Sequence, residues 1–273
     1  MDVVELLPGR LVMLRFPVGQ AYLWRDGRDG HPDELTLVDA GPAGSGAPIV
    51  EAVTALGARP EDVRRVVLTH FHEDHAGGAA EVAALTGAEV LAHRLDAPHV
   101  RDDAPGPPPA LEDWELPLHR RALSLLPPGD YERPSSVTEL SDGDVLDVAG
   151  GAQVLHVPGH THGSIALHLP RHGVLFTGDT VAVSPADGTV VPGVFNLDRH
   201  RLLASCRRLA ALDTEVACFG HGDPVLTEAA RELRAMTDAS RGGDGRGTRA
   251  AGGDGRGTRA AGDDGRGTPA AGG

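Results

Sequence analysis

Four times along the chain an apolar run ends in side chains able to hold a metal ion, and a fold that uses them must bring all four endings together. The first ending is the densest. Val66-Val67-Leu68 leads into Thr69-His70-Phe71-His72-Glu73-Asp74-His75, which places three histidines and an aspartate in six positions. Imidazole is the commonest neutral metal ligand and carboxylate its usual oxygen companion, so this run offers a divalent ion several donors at once. If residues 70–72 continue the strand, His70 and His72 share a face, because side chains on a strand repeat every two residues. The chain then turns through Asp74 and His75 into Ala76-Gly77-Gly78-Ala79, where small residues let a helix start close by.

The other endings follow one pattern. Val154-Leu155-His156-Val157 runs through Pro158-Gly159 to His160, Val174-Leu175-Phe176 through Thr177-Gly178 to Asp179, and Val216-Ala217-Cys218-Phe219 through Gly220 to His221. An apolar strand, a glycine that turns the backbone sharply and then a donor is how a sheet places ligands at one edge. A catalytic zinc takes about three protein ligands and keeps an open position, and a pair of ions takes more, some of them shared.

With Pro158-Gly159-His160-Thr161, Thr177-Gly178-Asp179 and Gly220-His221-Gly222, the run at 70–75 resembles the metallo-β-lactamase-fold hydrolases in their glyoxalase II-like branch. Leu35-Thr36-Leu37-Val38-Asp39-Ala40-Gly41 is similar to that family's early strand, and the likeness covers roughly residues 10–235. It implies an α/β fold, a four-layer αββα sandwich. It implies one ion on His70, His72 and His160, a second on Asp74, His75 and His221, and Asp179 bridging both. A bridging position suits a carboxylate, which has two oxygens to share. Asp39 would hydrogen-bond the back of a ligand histidine and fix its tautomer. Two Zn²⁺ per chain are the expected cofactors, with iron or manganese as alternatives.

By the same resemblance, a hydroxide between the ions attacks a small ester, thioester or lactone, and Asp74 orients it and passes a proton to the leaving group. Related diiron oxygen or nitric oxide reductases carry glutamate where His72 stands, so histidine here favours a hydrolase. Two alternatives stay open: an iron-dependent sulfur oxidoreductase like the persulfide dioxygenases, and a phosphodiesterase. His162 and Ser164 are read as bracing the His160 loop, His93 and His156 as packed or rim residues, and Glu73 as facing solvent. Cys206 and Cys218 have no C-x-x-C spacing and are read as buried thiols.

At 273 residues the chain can hold one large domain, and donors spread over 70–221 require it to be continuous, so residues 1–240 are read as one hydrolase domain. Two cysteines, no apolar stretch near 18 residues and no leader-like N-terminus predict a soluble protein of the cytoplasm, without membrane contact. The formal charge of 25 − 39 = −14 argues against nucleic acid as a partner and leaves a small-molecule substrate; oligomeric state is not legible. Residues 241–273 consist of Gly/Arg/Asp/Ala decapeptide repeats with no large apolar side chain. They are expected to be disordered, because the unit cannot bury enough surface to offset the entropy of ordering it.

A lid-like insertion is expected at about 94–140, bracketed by Pro105, Pro107, Pro108 and Pro109 and by Pro127-Pro128-Gly129. Between them a helical pattern runs from Leu111 to Leu126, with Pro117 as a kink or restart, and Trp114, Leu118 and Tyr131 are candidates for an apolar pocket wall. Glyoxalase II enzymes carry a C-terminal helical domain with basic residues for glutathione. Here a single helix and then the repeats are expected, which weakens that substrate. Strands are predicted near 11–16, 20–25, 35–39, 64–69, 88–92, 145–148, 153–157, 164–169, 173–178 and 215–219. Helices are predicted near 46–57, 77–86, 111–126, 198–212 and 227–238.

Overall fold

Most central strands carry apolar side chains on both faces, and this decides the layering. The computed structural model describes residues 1–27 and 34–243. In chain order the strands are β1 (Asp2–Leu7), β2 (Leu11–Arg15), β3 (Gln20–Asp26), β4 (Glu34–Val38), β5 (Val63–Val67), β6 (Glu89–His93), β7 (Thr138–Leu140), β8 (Val145–Leu146), β9 (Ala152–His156), β10 (Ile165–Leu169), β11 (Val174–Phe176), β12 (Val181–Val183), β13 (Val190–Pro192) and β14 (Val216–Cys218). The helices are α1 (Gly46–Ala55), α2 (Glu73–Ala76), α3 (Ala79–Thr86), α4 (Ala97–Val100), α5 (Leu116–Leu123), α6 (Arg199–Ala210) and α7 (Ala229–Gly243).

Strands β1 to β7 form one seven-stranded sheet in sequence order, and β14-β11-β10-β9-β8 form a second, five-stranded sheet. Alternation then sorts the side chains. On β2, Leu11 and Met13 face the second sheet while Val12 and Leu14 face the outer helices; on β3, Tyr22 and Trp24 face inward and Ala21 and Leu23 outward. Three apolar layers result. One lies between the first sheet and α1 and α3, with Ile49, Val53 and Val82; a second lies between the sheets, with Trp24, Ile165, Leu167 and Phe176; a third lies under α6 and α7, with Leu202, Leu209, Leu233 and Met236. Helix, sheet, sheet, helix is the αββα sandwich expected from the sequence.

Strand direction matters more to function than strand count. In the first sheet β4 to β7 run parallel, and in the second β11 runs parallel to β14 while β10 is antiparallel to both β9 and β11. Strands β4, β5, β9, β11 and β14 therefore end at the same rim, where ligands of open α/β sheets bind.

Several boundaries differ from the sequence reading. Strand β1 was not expected, because its side chains are mostly exposed and carry no core pattern. The short antiparallel hairpin β12–β13 was missed as well, its connecting turn holding Pro185 and its second strand ending in Pro192. Helix α5 starts only at Leu116, with Pro117 in its first turn, where a missing N–H costs nothing. Helix α7 continues to Gly243, past the expected boundary at 240, and the repeats from Asp244 onward lie outside the described residues. Both cysteines are buried, as read. Among the described residues no helix is long and apolar enough to cross a membrane.

Phe176 is 1% exposed at the middle of the inter-sheet layer, its ring 5.4 Å from that of Tyr22. Phe176→Ala is expected to lower the unfolding free energy by about 3–5 kcal/mol. Urea denaturation checks this through a lower midpoint at an unchanged slope.

Candidate metal centre

Each donor stands directly beyond a strand end or in the turn that follows. Strand β5 stops at Val67, but pairing continues two residues further, as Leu68 N–H donates to the Leu91 carbonyl and Ile165 N–H to the Thr69 carbonyl. His70 and His72 thus lie just beyond the strand rather than on it. Their rings are nonetheless 4.8 Å apart, and each is 4.7 Å from the His160 ring. Asp74 and His75 sit on the single turn α2, Asp179 on the 3₁₀ turn Gly178–Thr180, and His221 after β14.

Two glycines make room for this. A Cβ on Gly220 would collide with the Asp179 carboxylate and the His75 ring, and one on Gly159, whose φ is +139°, would strike the Leu202 backbone.

Asp39 ties the first sheet to the cluster. Its backbone is left-handed at φ 60°, which aims the carboxylate back toward the 69–75 loop. Oδ1 accepts from Thr69 N–H at 2.7 Å, the Thr69 hydroxyl donates at 2.9 Å to Oδ2, and Oδ2 also stands 2.9 Å from His75 Nδ1. Thr69 Oγ1 in turn lies 3.0 Å from His70 Nδ1. One buried carboxylate orients His75 directly and His70 through Thr69, so both rings turn Nε2 inward. His160 is fixed from another side, its Nδ1 3.0 Å from the Val194 carbonyl and its Nε2 2.9 Å from His72 Nδ1.

The inward atoms find no adequate protein partner. His70 Nε2, His75 Nε2 and Asp179 Oδ1 are buried without a hydrogen bond, although His75 Nε2 and Asp179 Oδ1 are only 3.3 Å apart. Asp179 Oδ2 lies 3.6 Å from His160 Nε2 and 3.3 Å from His221 Nε2, and Asp74 Oδ2 lies 3.2 Å from His221 Nε2. Candidate ligand atoms of His70, His72 and His160, of His70, His75 and Asp179, and of Asp74, His75 and His221 each fall within 4.8 Å of one another. Orphaned donors around overlapping triads fit divalent cations, so the residues present suit the ions that the sequence implies.

Electrostatics divides the cluster. Burial, reinforced by the neighbouring His160, pushes His72 down to about 3, and burial likewise lowers His70 and His160, leaving them neutral as ligation requires. Burial opposes charge on His75 and His221 too, but Asp179 and Asp74 outweigh it, raising His75 strongly and pushing His221 up to about 10. The same histidines hold Asp74 and Asp179 low against the cost of burial.

Asp96, which follows β6, carries no spacing signal and was not singled out from the sequence. Its buried carboxylate accepts from Phe71 N–H at 3.2 Å, Thr161 Oγ1 at 2.7 Å and Gly163 N–H at 2.7 Å, pinning the His70–His72 loop to the His160 loop. Ser164 Oγ braces that second loop by accepting from Thr161 N–H at 2.9 Å, and the His162 carbonyl lies 2.8 Å from His156 Nε2. His93 and His156 are stacked 4.1 Å apart, consistent with packed side chains. Glu73 departs from expectation: it is half-buried, Oε1 has no partner, and burial raises its pKa.

The cluster opens into a cavity of about 800 Å³ whose floor includes His72, Asp74, His160, Asp179 and His221. Of the three pocket candidates only Leu118 lines it. Trp114 precedes α5 and is 51% exposed, and Tyr131 lies under the Arg133 guanidinium, 3.7 Å from its ring centroid.

A family model described as the metallo-beta-lactamase superfamily matches residues 17–221, and the chain belongs to that superfamily. Hydroxyacylglutathione hydrolase of Cereibacter sphaeroides is 31% identical over 203 residues, 74% of this chain and 61% of that protein. The chain thus spans somewhat under two thirds of that relative. The probable metallo-hydrolase YflN of Bacillus subtilis is 28% identical over 227 residues, 75% of this chain and 84% of that one. Similar solved structures include the following two. The metallo-beta-lactamase family protein TTHA1429 of Thermus thermophilus is 26% identical with a TM-score of 0.62, covering 88% of this chain and 80% of that one. TTHA1623, solved in a di-iron-bound form, is 28% identical with a TM-score of 0.56, covering 82% and 96%.

The raised His221 has a pH signature. In metal-free protein its stabilisation is fully present below its unfolded pKa of about 6.5, and it is lost as pH rises through the folded value of about 10. With chelator present, wild-type protein is expected to have a higher denaturation midpoint than His221→Asn at pH 6, and the gap should close toward pH 10. A gap independent of pH would contradict the assignment.

Proposed function

We propose that the chain is a metal-dependent hydrolase with a dinuclear zinc centre that cleaves a small ester, thioester or lactone. The observation that carries this is the convergence of orphaned inward atoms, His70 Nε2, His75 Nε2 and Asp179 Oδ1, beside a cavity large enough for a small molecule. His70, His72 and His160 would hold one ion and Asp74, His75 and His221 the other. Asp179, whose two oxygens face different histidines, would be shared.

Bound there, the ions supply an activated water near neutral pH and polarise the substrate carbonyl. The protein's own residues set the geometry. Asp39 and Thr69 hold His75 and His70 in the tautomer that leaves Nε2 free, and the Val194 carbonyl does the same for His160. Asp74 lies on the cavity floor with an oxygen to spare, placed to orient the nucleophile and carry a proton to the leaving group. The hydroxyacylglutathione hydrolase and metallo-hydrolase relatives support hydrolysis. The di-iron-bound form of TTHA1623 supports iron as an alternative metal, and an iron-dependent sulfur oxidoreductase is kept as the second reading.

Metal analysis of protein purified without added metal separates the two: zinc near two per chain supports the first and a single iron the second. Asp74→Ala is expected to lower the zinc content toward one and turnover by about a hundredfold or more. A screen of thioesters, lactones and phosphodiesters reads the turnover, with His72→Ala as the inactive control. Full activity of Asp74→Ala with one metal per chain would sink the scheme.

A further inference from the structure

Facing the metal cluster across the cavity is helix α5, whose end is continued by turns in which Leu125 N–H donates to the Ala122 carbonyl and Leu126 N–H to that of Leu123. Leu118, Ala122, Leu125 and Leu126 stand at i, i+4, i+7 and i+8, one face of a helix, and all four line the cavity. Among the described residues nothing covers that face: Leu118 is 47% exposed and Leu125 45%. Phe16, Val18, Val183, Val191 and Val194 supply apolar surface from the body of the fold.

The helix is fixed as a wall at a distance. Glu115, 3% exposed, accepts from Phe195 N–H at 3.0 Å and Glu112 N–H at 2.9 Å, and Ala110 N–H donates to the Asn196 carbonyl at 2.9 Å. These anchors keep the lid from collapsing onto the opposite side, so the space is pre-formed. Its lining carries charge of both signs. The lining carboxylates are Glu73, Asp74, Asp179 and Asp223, and of the two lining arginines Arg15 is paired with Asp223.

We infer that α5 is the specificity wall of the site, and that the substrate is an ester or lactone whose apolar acyl group packs between Leu118, Leu125 and Leu126 and the Phe16–Val18 side. This rests on the hydrolase reading for the scissile bond but not for the apolar pocket.

Two measurements on the full chain keep these apart. For zinc-loaded enzyme, kcat/KM over p-nitrophenyl esters from acetyl to decanoyl is expected to rise about three- to fourfold per methylene until the cavity is filled. Leu118→Ser/Leu126→Ser should flatten that slope. Neither side chain belongs to the buried core, and an unchanged thermal midpoint confirms that the variant folds. Independently of turnover, the neutral fluorophore N-phenyl-1-naphthylamine should bind saturably, be displaced by decanamide, and bind the double variant about tenfold more weakly. Failure to bind, or equal binding to the variant, overturns the assignment of the wall. Probe binding that depends on the leucines, with no ester, thioester or lactone hydrolysed, overturns the hydrolase reading and leaves the wall standing.

Discussion

Two carboxylates and five imidazoles are packed at one rim of two sheets, and the cost of removing such groups from water is the constraint to which the rest of the molecule answers. Left alone they would be expensive, because an unpaired polar atom in a buried site loses its hydration without return. The protein meets part of the demand outward, through Asp39 to Thr69 and His75, the Val194 carbonyl to His160, and Asp96 to the loops on either side. Inward, the demand is left for cations. Structural rigidity outside and unsatisfied lone pairs inside are two aspects of one arrangement.

The sandwich supplies the convergence. Burial of β2 to β6 on one side and β9 to β11 on the other requires continuous apolar strands, and these are the runs that precede each donor. Because β4, β5, β9, β11 and β14 share an exit edge, ligands far apart in sequence need only short turns to meet. The fold's energetic core and its chemistry are separated by a residue or two, and glycines at 159 and 220 let the backbone make that step.

This explains what the sequence could reveal. His70, His72, Asp74, His75, His160, Asp179 and His221 were legible as candidates because donor residues directly after apolar runs leave a local signature, and the layering was legible through family likeness. Asp39 was legible only through family likeness. Asp96 was not, since its role comes from loops brought to it from residues 71, 161 and 163, and no pattern within its own neighbourhood encodes that. Edge strand β1 escaped because its side chains are mostly exposed, and hairpin β12–β13 because its three-residue strands are too short to show an alternation. Leu118 was identified by apolar periodicity, whereas Trp114 was misplaced because Pro117 delays the helix start, leaving the indole outside the cavity.

The segment from Gly193 to Asp198 is shared property. Val194 backs His160, Phe195 and Asn196 hold the lid through Glu115 and Ala110, and Leu197 and Asp198 donate to the carbonyls of His160 and Gly159. The strip therefore works as a common anchor, with the wall of the cavity fixed on one side and the ring of His160, a candidate ligand, on the other. Under the proposed function, a change that moves this strip would displace the cavity wall and the His160 ring together, so that substrate fit and metal affinity would be mechanically joined rather than independently adjustable.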